Sequence, residues 1–449
     1  MKKLFIFIAV IFIAASASLF PGTPGTLKWS IKPESSNIPS PAIAKDGTVY
    51  ITGGIRLKAI NPDTGGILWS YEPGTGLGSA PVILPDKSIC VAGANGTLYI
   101  VSPSGSHKYS RSFGGGSITW QIAVNSDGTI FFAYGNTLYC LSPELQTIWT
   151  YVASDTLNSS PVLGQDGSIY LSCQTARTFY GINIDGTLKW RQTYPWAAGN
   201  SYDDWALLGI PSVGAAGQIY VGDQAGYFRE VDPVTGALVR EWAAAIDRSS
   251  MTCQSAICSN GYNIEGCANA YLCGFNPTTG NYRLHVGLSG STYSTPAIGS
   301  DGTIYLGVSW QTTHFTYYFY ALTPRYANNY DFVVRWSYLV GHEMSASPAL
   351  GSDGTAYIGT KDGYVYAIYT ENTGYQNNSP FPKYRHDNSN TGNSIHNSFL
   401  VCQPSIYDFG NVNLGTSSSK HFRLPMFLQL LTTSGRLSSR RAPSRKRNF

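Results

Sequence analysis

The chain has 449 residues, of which 48 are Gly and 31 Tyr, and 12% are charged. No long stretch carries a 3.6-residue apolar period, so helical classes are set aside and an all-β chain rich in turns is expected. Net charge is +4, but residues 401–449 hold eight Lys or Arg against Asp408 alone. With Lys2 and Lys3 also set aside, the intervening residues carry −5, which removes the electrostatic footprint of a nucleic-acid binder.

The first residues, MKKLFIFIAVIFIAASAS, join two lysines to an apolar run and then to small residues at Ala15 and Ala17. This predicts a secretory signal peptide over residues 1–18. The apolar run is shorter than the roughly 18–20 residues a membrane span needs. No cysteine follows that would carry a lipid, so a secreted or periplasmic protein without a stable membrane anchor is expected.

From residue 40 one sentence recurs: SPAIAKDGTVYIT, then RLKAINPDTGGILWSYE. Short β-branched and aromatic runs alternate with Asp-Gly and Pro-Asp-Thr-Gly turns, where glycine supplies positive φ and Asp or Asn bonds its own backbone two residues on. Aligned on the first turn, copies fall at Asp46, Asp86, Asp127, Asp166, Ala216, Asn260, Asp301 and Asp353, with steps of 40, 41, 39, 50, 44, 41 and 52 residues. Eight such units are the pattern of a β-propeller with four-stranded blades. A fourth-strand aromatic recurs at Trp69, Tyr109, Trp149, Trp190, Trp242 and Trp336. The last unit stops without a fourth strand, and residues 26–31, carrying Trp29, have that form at the other end of the chain. The N-terminal strand is expected to complete the last blade and close the ring, leaving no bare edge.

SPAIAKDGTVYI followed by LKAINPDTGGILWSY resembles the repeat of the pyrroloquinoline-quinone-type eight-bladed propellers, matching their docking motif at Ala59, Asn61, Thr64, Gly65 and Trp69. The resemblance spans residues 26–370. It implies that Trp29, Trp69, Trp149, Trp190, Trp242 and Trp336 dock blade against blade. It also raises a quinone-dependent dehydrogenase of alcohols or sugars, with the quinone and calcium in the central funnel. No adjacent Cys pair and no acidic and amide set for such a site is found, so no cofactor and no metal are expected. The seven histidines are scattered, with no HExxH or Gly-x-Ser-x-Gly pattern.

Cys253, Cys258, Cys267 and Cys273 crowd into one unit and are candidates for disulfides in an exported chain. Residues 371–400 read as a polar linker or strap. Residues 401–423 resemble the opening strands of an immunoglobulin-like domain, which needs about 100 residues, so an incomplete domain is expected there. A basic, disordered tail is expected over 424–449.

Four tryptophans fall outside the repeat register: Trp120, Trp196, Trp205 and Trp310. Strand order puts the long insertions at 191–207 and 308–316 on one face of the disc, and Trp120 where an inner strand enters from that face. Tyr202, Asp203 and Asp204 lie in the first insertion. A ligand rim of exposed aromatics with a few carboxylates is therefore one expectation, because such rings supply large contact area at low entropy cost. The same aromatics pinning their own loops is the other. The function expected is a non-catalytic binding or scaffold propeller that recognises a protein or glycan, with a structural module of a larger surface protein as a further alternative.

Overall fold

The computed structural model describes residues 22–394 except 117, 119–120, 158, 174–177, 194–208, 224–225, 244–252, 267–270, 279–281, 288–291, 293, 311–315, 326–330, 345, 377–378 and 380. All of these lie in the first of two compact units, residues 1–397; the second, 398–449, is outside the described residues, as are the expected leader and the immunoglobulin-like start.

Every named element is a strand, and the strands form eight four-stranded antiparallel sheets. In the first blade Ala42–Ile43, Val49–Gly53, Arg56–Ile60 and Ile67–Tyr71 pair in chain order from the axis outward. Six further blades repeat this order. In the eighth, Ala349–Leu350, Thr355–Gly359 and Val365–Tyr369 are joined by Leu27–Ile31, which pairs with Val365–Tyr369 through Trp29 opposite Ala367. The two middle strands of a blade are packed on both faces by neighbouring blades, so Val49–Gly53 is buried throughout, whereas the outer strand Ile67–Tyr71 is largely exposed.

The turns obey the chemistry read from the sequence. Asp46 Oδ1 accepts from Thr48 N at 3.0 Å, and Asn260 does the same for Tyr262 at 3.2 Å. In the Ala216 turn, Gln218 Oε1 substitutes by accepting from Ala216 N at 3.1 Å. Lys87, with φ 69°, and Leu145, with φ 65°, stand where most of the units place glycine.

Blades interlock through their outer tryptophans. Trp69 donates to Pro103 O of the next blade at 2.9 Å, Trp149 to Ile184 O at 2.9 Å and Trp190 to Pro233 O at 3.0 Å. Each ring lies on the glycine of that neighbour's turn: a methyl group on Gly105 would sit 2.8 Å from Trp69, and on Gly236 2.5 Å from Trp190. Trp29 repeats the bond to Pro62 O at 2.8 Å. Trp336 donates instead to Glu371 Oε1 at 2.9 Å and covers Gly25. Trp242 packs on Phe228 and Phe275.

The strands of the seventh blade are long, Ile304–Trp310, Thr316–Arg325 and Asp331–Leu339. The insertion at 308–316 therefore extends a hairpin, and a second extension, not anticipated from the sequence, lengthens the opposite end of the same blade.

Candidate functional site

The residue two positions before each inner strand lies around the axis. These are Ser40, Ala80, Gln121, Ser160, Ile210, Gln254, Thr295 and Ser347, six of them followed by proline. Proline cannot donate to a ladder and holds the preceding residue extended, which fits a chain entering a two-residue strand. Several of these residues bridge adjacent blades. Ser347 N donates to Ser40 Oγ at 2.9 Å, Thr295 N to Ser347 Oγ at 2.9 Å, Ala80 N to Gln121 Oε1 at 2.9 Å and Gln121 N to Ser160 Oγ at 3.0 Å.

Inside this belt is a cup of about 310 Å³. All of the belt except Ser160 lines it, together with Asn37, Pro39, Gly78, Cys253 and Ala346, and its floor is Tyr384. Ser40 and Ser347 accept blade-bridging bonds at Oγ, which leaves their hydroxyl protons free to donate to an occupant. Among the described residues that line it, none carries a carboxylate, a lysine or a guanidinium. Burial pushes the Cys253 thiol up to about 12 and the Tyr384 hydroxyl also to about 12. Neither is a ready nucleophile or base at neutral pH.

Charge lies beneath the floor, on residues 371–394, which turn from the last blade into the axis. Lys383 and Arg385 are fully buried. Burial lowers Lys383 to about 7 against the pull of Asp387, and lowers Arg385 to about 10. Burial would raise Asp387, but the adjacent His386 and the bonds from Thr391 hold it at about 2.

Of the expected rim residues, Trp120, Trp196, Tyr202, Asp203, Asp204 and Trp205 lie outside the described residues. Trp310 ends its strand opposite Thr316, and its side chain is likewise outside them. Their chain neighbours are placed: Gln121 and Ile210 both line the cup. No disulfide joins two of the described cysteines, and Cys267 is outside them. Among the described residues no group of three His, Cys, Asp or Glu side chains is placed to hold a metal ion. A calcium site is usually built around carboxylates with amide and carbonyl oxygens beside them; among the described lining residues the cup has amides but no carboxylate, so these residues do not fit the calcium and quinone pair of the resembled enzymes.

One buried group escaped the sequence reading. Glu265 stands where the other blades place Ile51, Val91, Phe132, Leu171, Val221, Leu306 and Ile358, a register fixed by the pairing of Ala256 with Ile264. It is fully buried and neither carboxyl oxygen has a partner. Burial, with Cys273 across the strand pair and Asp223 beyond, holds its carboxyl well above the usual range. Alignment on Asn260 would have exposed the exception.

The profile of a family described as outer membrane protein assembly factor BamB matches residues 94–257. No curated protein matches the chain. Among solved structures, BamB from Moraxella catarrhalis is similar with a TM-score of 0.60 at 16% identity, covering 77% of this chain and 99% of that one. The computationally designed Ika8 protein gives 0.62 at 15%, covering 77% and 100%. At such identities the likeness shows the fold.

Proposed function

We propose that this eight-bladed propeller of pyrroloquinoline-quinone-type repeats is a non-catalytic binding scaffold, engaging a protein partner at the cell envelope through the face onto which the axial cup opens. The observation that carries the reading is the axis itself: the chain fills one end with its own residues, and what remains is a cup walled by hydroxyls, amides and small apolar groups. The described lining residues can recognise a ligand and offer no nucleophile and base pair among them. The matching family is described as an outer-membrane assembly factor, which supports a protein partner and a periplasmic location. A glycan is the competing ligand class, since the hydroxyl and amide lining suits it also. No cofactor is needed in this reading.

A photo-crosslinking residue placed at Gln121 on the cup face, and separately at Asp127 on the opposite face, tests the proposal in envelope extracts. A discrete protein adduct from position 121 and none from 127 is expected. Equal adducts from both, or dye-linked oxidation of alcohols after addition of quinone and calcium, would overturn it.

A further inference from the structure

The eight inner strands each have one edge paired with the second strand of the blade and the other turned to the axis, where their N–H groups converge away from water. A buried N–H without an acceptor is costly. Residues 375–394 supply backbone acceptors at the same register position in six of the eight blades. Ile43 N donates to Asn388 O at 2.8 Å, Ile83 to Ser389 O at 2.9 Å, Val124 to Thr391 O at 2.9 Å, Leu163 to Gly392 O at 2.9 Å, Ile257 to Phe381 O at 2.7 Å and Ile298 to Pro382 O at 2.8 Å. In the eighth blade Leu350 N donates to Tyr375 Oη at 2.8 Å.

Two side chains extend this grip. Arg385 spreads its fork over two blades, donating from Nη1 to Pro161 O at 2.8 Å and from Nη2 to Ile122 O at 2.6 Å, while its own N–H donates to Gln254 Oε1 at 2.8 Å. Asn390 Nδ2 donates to Ser40 O, Pro41 O and Pro81 O at 3.1–3.3 Å. The segment is also braced within itself. Lys383 Nζ donates to Asn390 Oδ1 at 2.6 Å, and Gly392 N donates to Arg385 O at 2.9 Å. Arg385, His386 and Asn390 hold positive φ of 59°, 73° and 58°, a conformation that non-glycine residues keep only where the surroundings impose it.

We infer that residues 375–394 are a latch that couples the blades through the axis, so that the axial edges of the ring open as one unit when the latch is loosened at any point. The internal bonds make the halves 381–385 and 387–392 move together. A loss on one side therefore reaches blades gripped by the other. Because Tyr384 is both latch and cup floor, opening the ring also removes the floor.

Hydrogen exchange on the full chain tests this, with Arg385→Met and Asn390→Ala made separately. The Arg385 variant should speed exchange at Ile43 and Ile83, whose acceptors it does not touch. The Asn390 variant should do the same at Ile257 and Ile298. A rise of about a hundredfold, or about 2.7 kcal/mol at 1.36 kcal/mol per decade, is expected across all six inner-strand amides, with Val91 and Phe132 in second strands unchanged. Faster exchange confined to amides next to the substitution would overturn the coupling, as would an equal rise at second strands. If Arg385→Met does not fold, Arg385→Lys removes the fork while keeping a cation, and the same pattern is read.

Discussion

Replacing Glu265 by leucine should stabilise the propeller, and the gain should grow with pH. The carboxyl is fully buried with both oxygens unpartnered, at a register position that is apolar in the other seven blades. A buried polar group without a partner costs about 1–3 kcal/mol, and leucine removes that cost in nearly the same volume. Ionisation adds a second contribution. The folded carboxyl keeps its proton well above the ordinary value of 4.5, so the native state holds a proton that the unfolded chain has released. That contribution is fully present below pH 4.5 and is lost as pH rises through the folded value, at about 1.4 kcal/mol per pH unit. Urea unfolding of both proteins at pH 4.5 and 7.5 should therefore show a gain of about 1–3 kcal/mol at the lower pH and a larger one at the higher. An equal gain at both, or a loss at both, would mean that the carboxyl is ionised and paired, and the reasoning would fail.

Gly105→Ala should destabilise by about 2–4 kcal/mol in the same assay, because a methyl there sits 2.8 Å from the Trp69 ring on backbone at φ 86°. Lys87→Gly should stabilise by about 1 kcal/mol, since the exposed lysine occupies a positive φ that glycine adopts freely. Lys383 is depressed by burial to about 7 from 10.5, so its contribution is present above pH 10.5 and is lost as pH falls to 7. Lys383→Met should flatten the rise of stability between those limits, measured by thermal melts in matched buffers.

The repeat was legible because its turns are local chemistry: Asp46, Gly47 and Gly65 need only their own neighbours to specify a bend, and Trp69 recurs at a fixed distance from them. That ruler found the eight units and the fourth-strand character of residues 26–31. The cup was missed although its signal was present, in the residue before Pro41, Pro81, Pro161, Pro211, Pro296 and Pro348. Facing the axis is a property of the ring, which no single repeat displays. Residues 371–400 read only as a polar linker or strap because asparagine and serine usually mark solvent-exposed chain. Here the same groups are buried at the convergence of eight backbone edges, where acceptors are what the surroundings lack. Glu265 was hidden for the opposite reason: one carboxylate in a strand looks like an exposed face until its register is laid against Ile51 and Val91.

The seating of tryptophan on a neighbour's glycine has a consequence for synthesis. Gly25 is covered by Trp336, and Trp29 binds Pro62, so the N-terminal segment is held both by the first blade and by a residue some three hundred positions further along the chain. During vectorial synthesis the first blades can assemble as an open arc in order of emergence. Gly25 must wait until nearly the whole ring has been made, and the axial carbonyls arrive later still. Until that point the chain can only be an unsealed arc, and its terminal seam is the surface that stays uncovered longest.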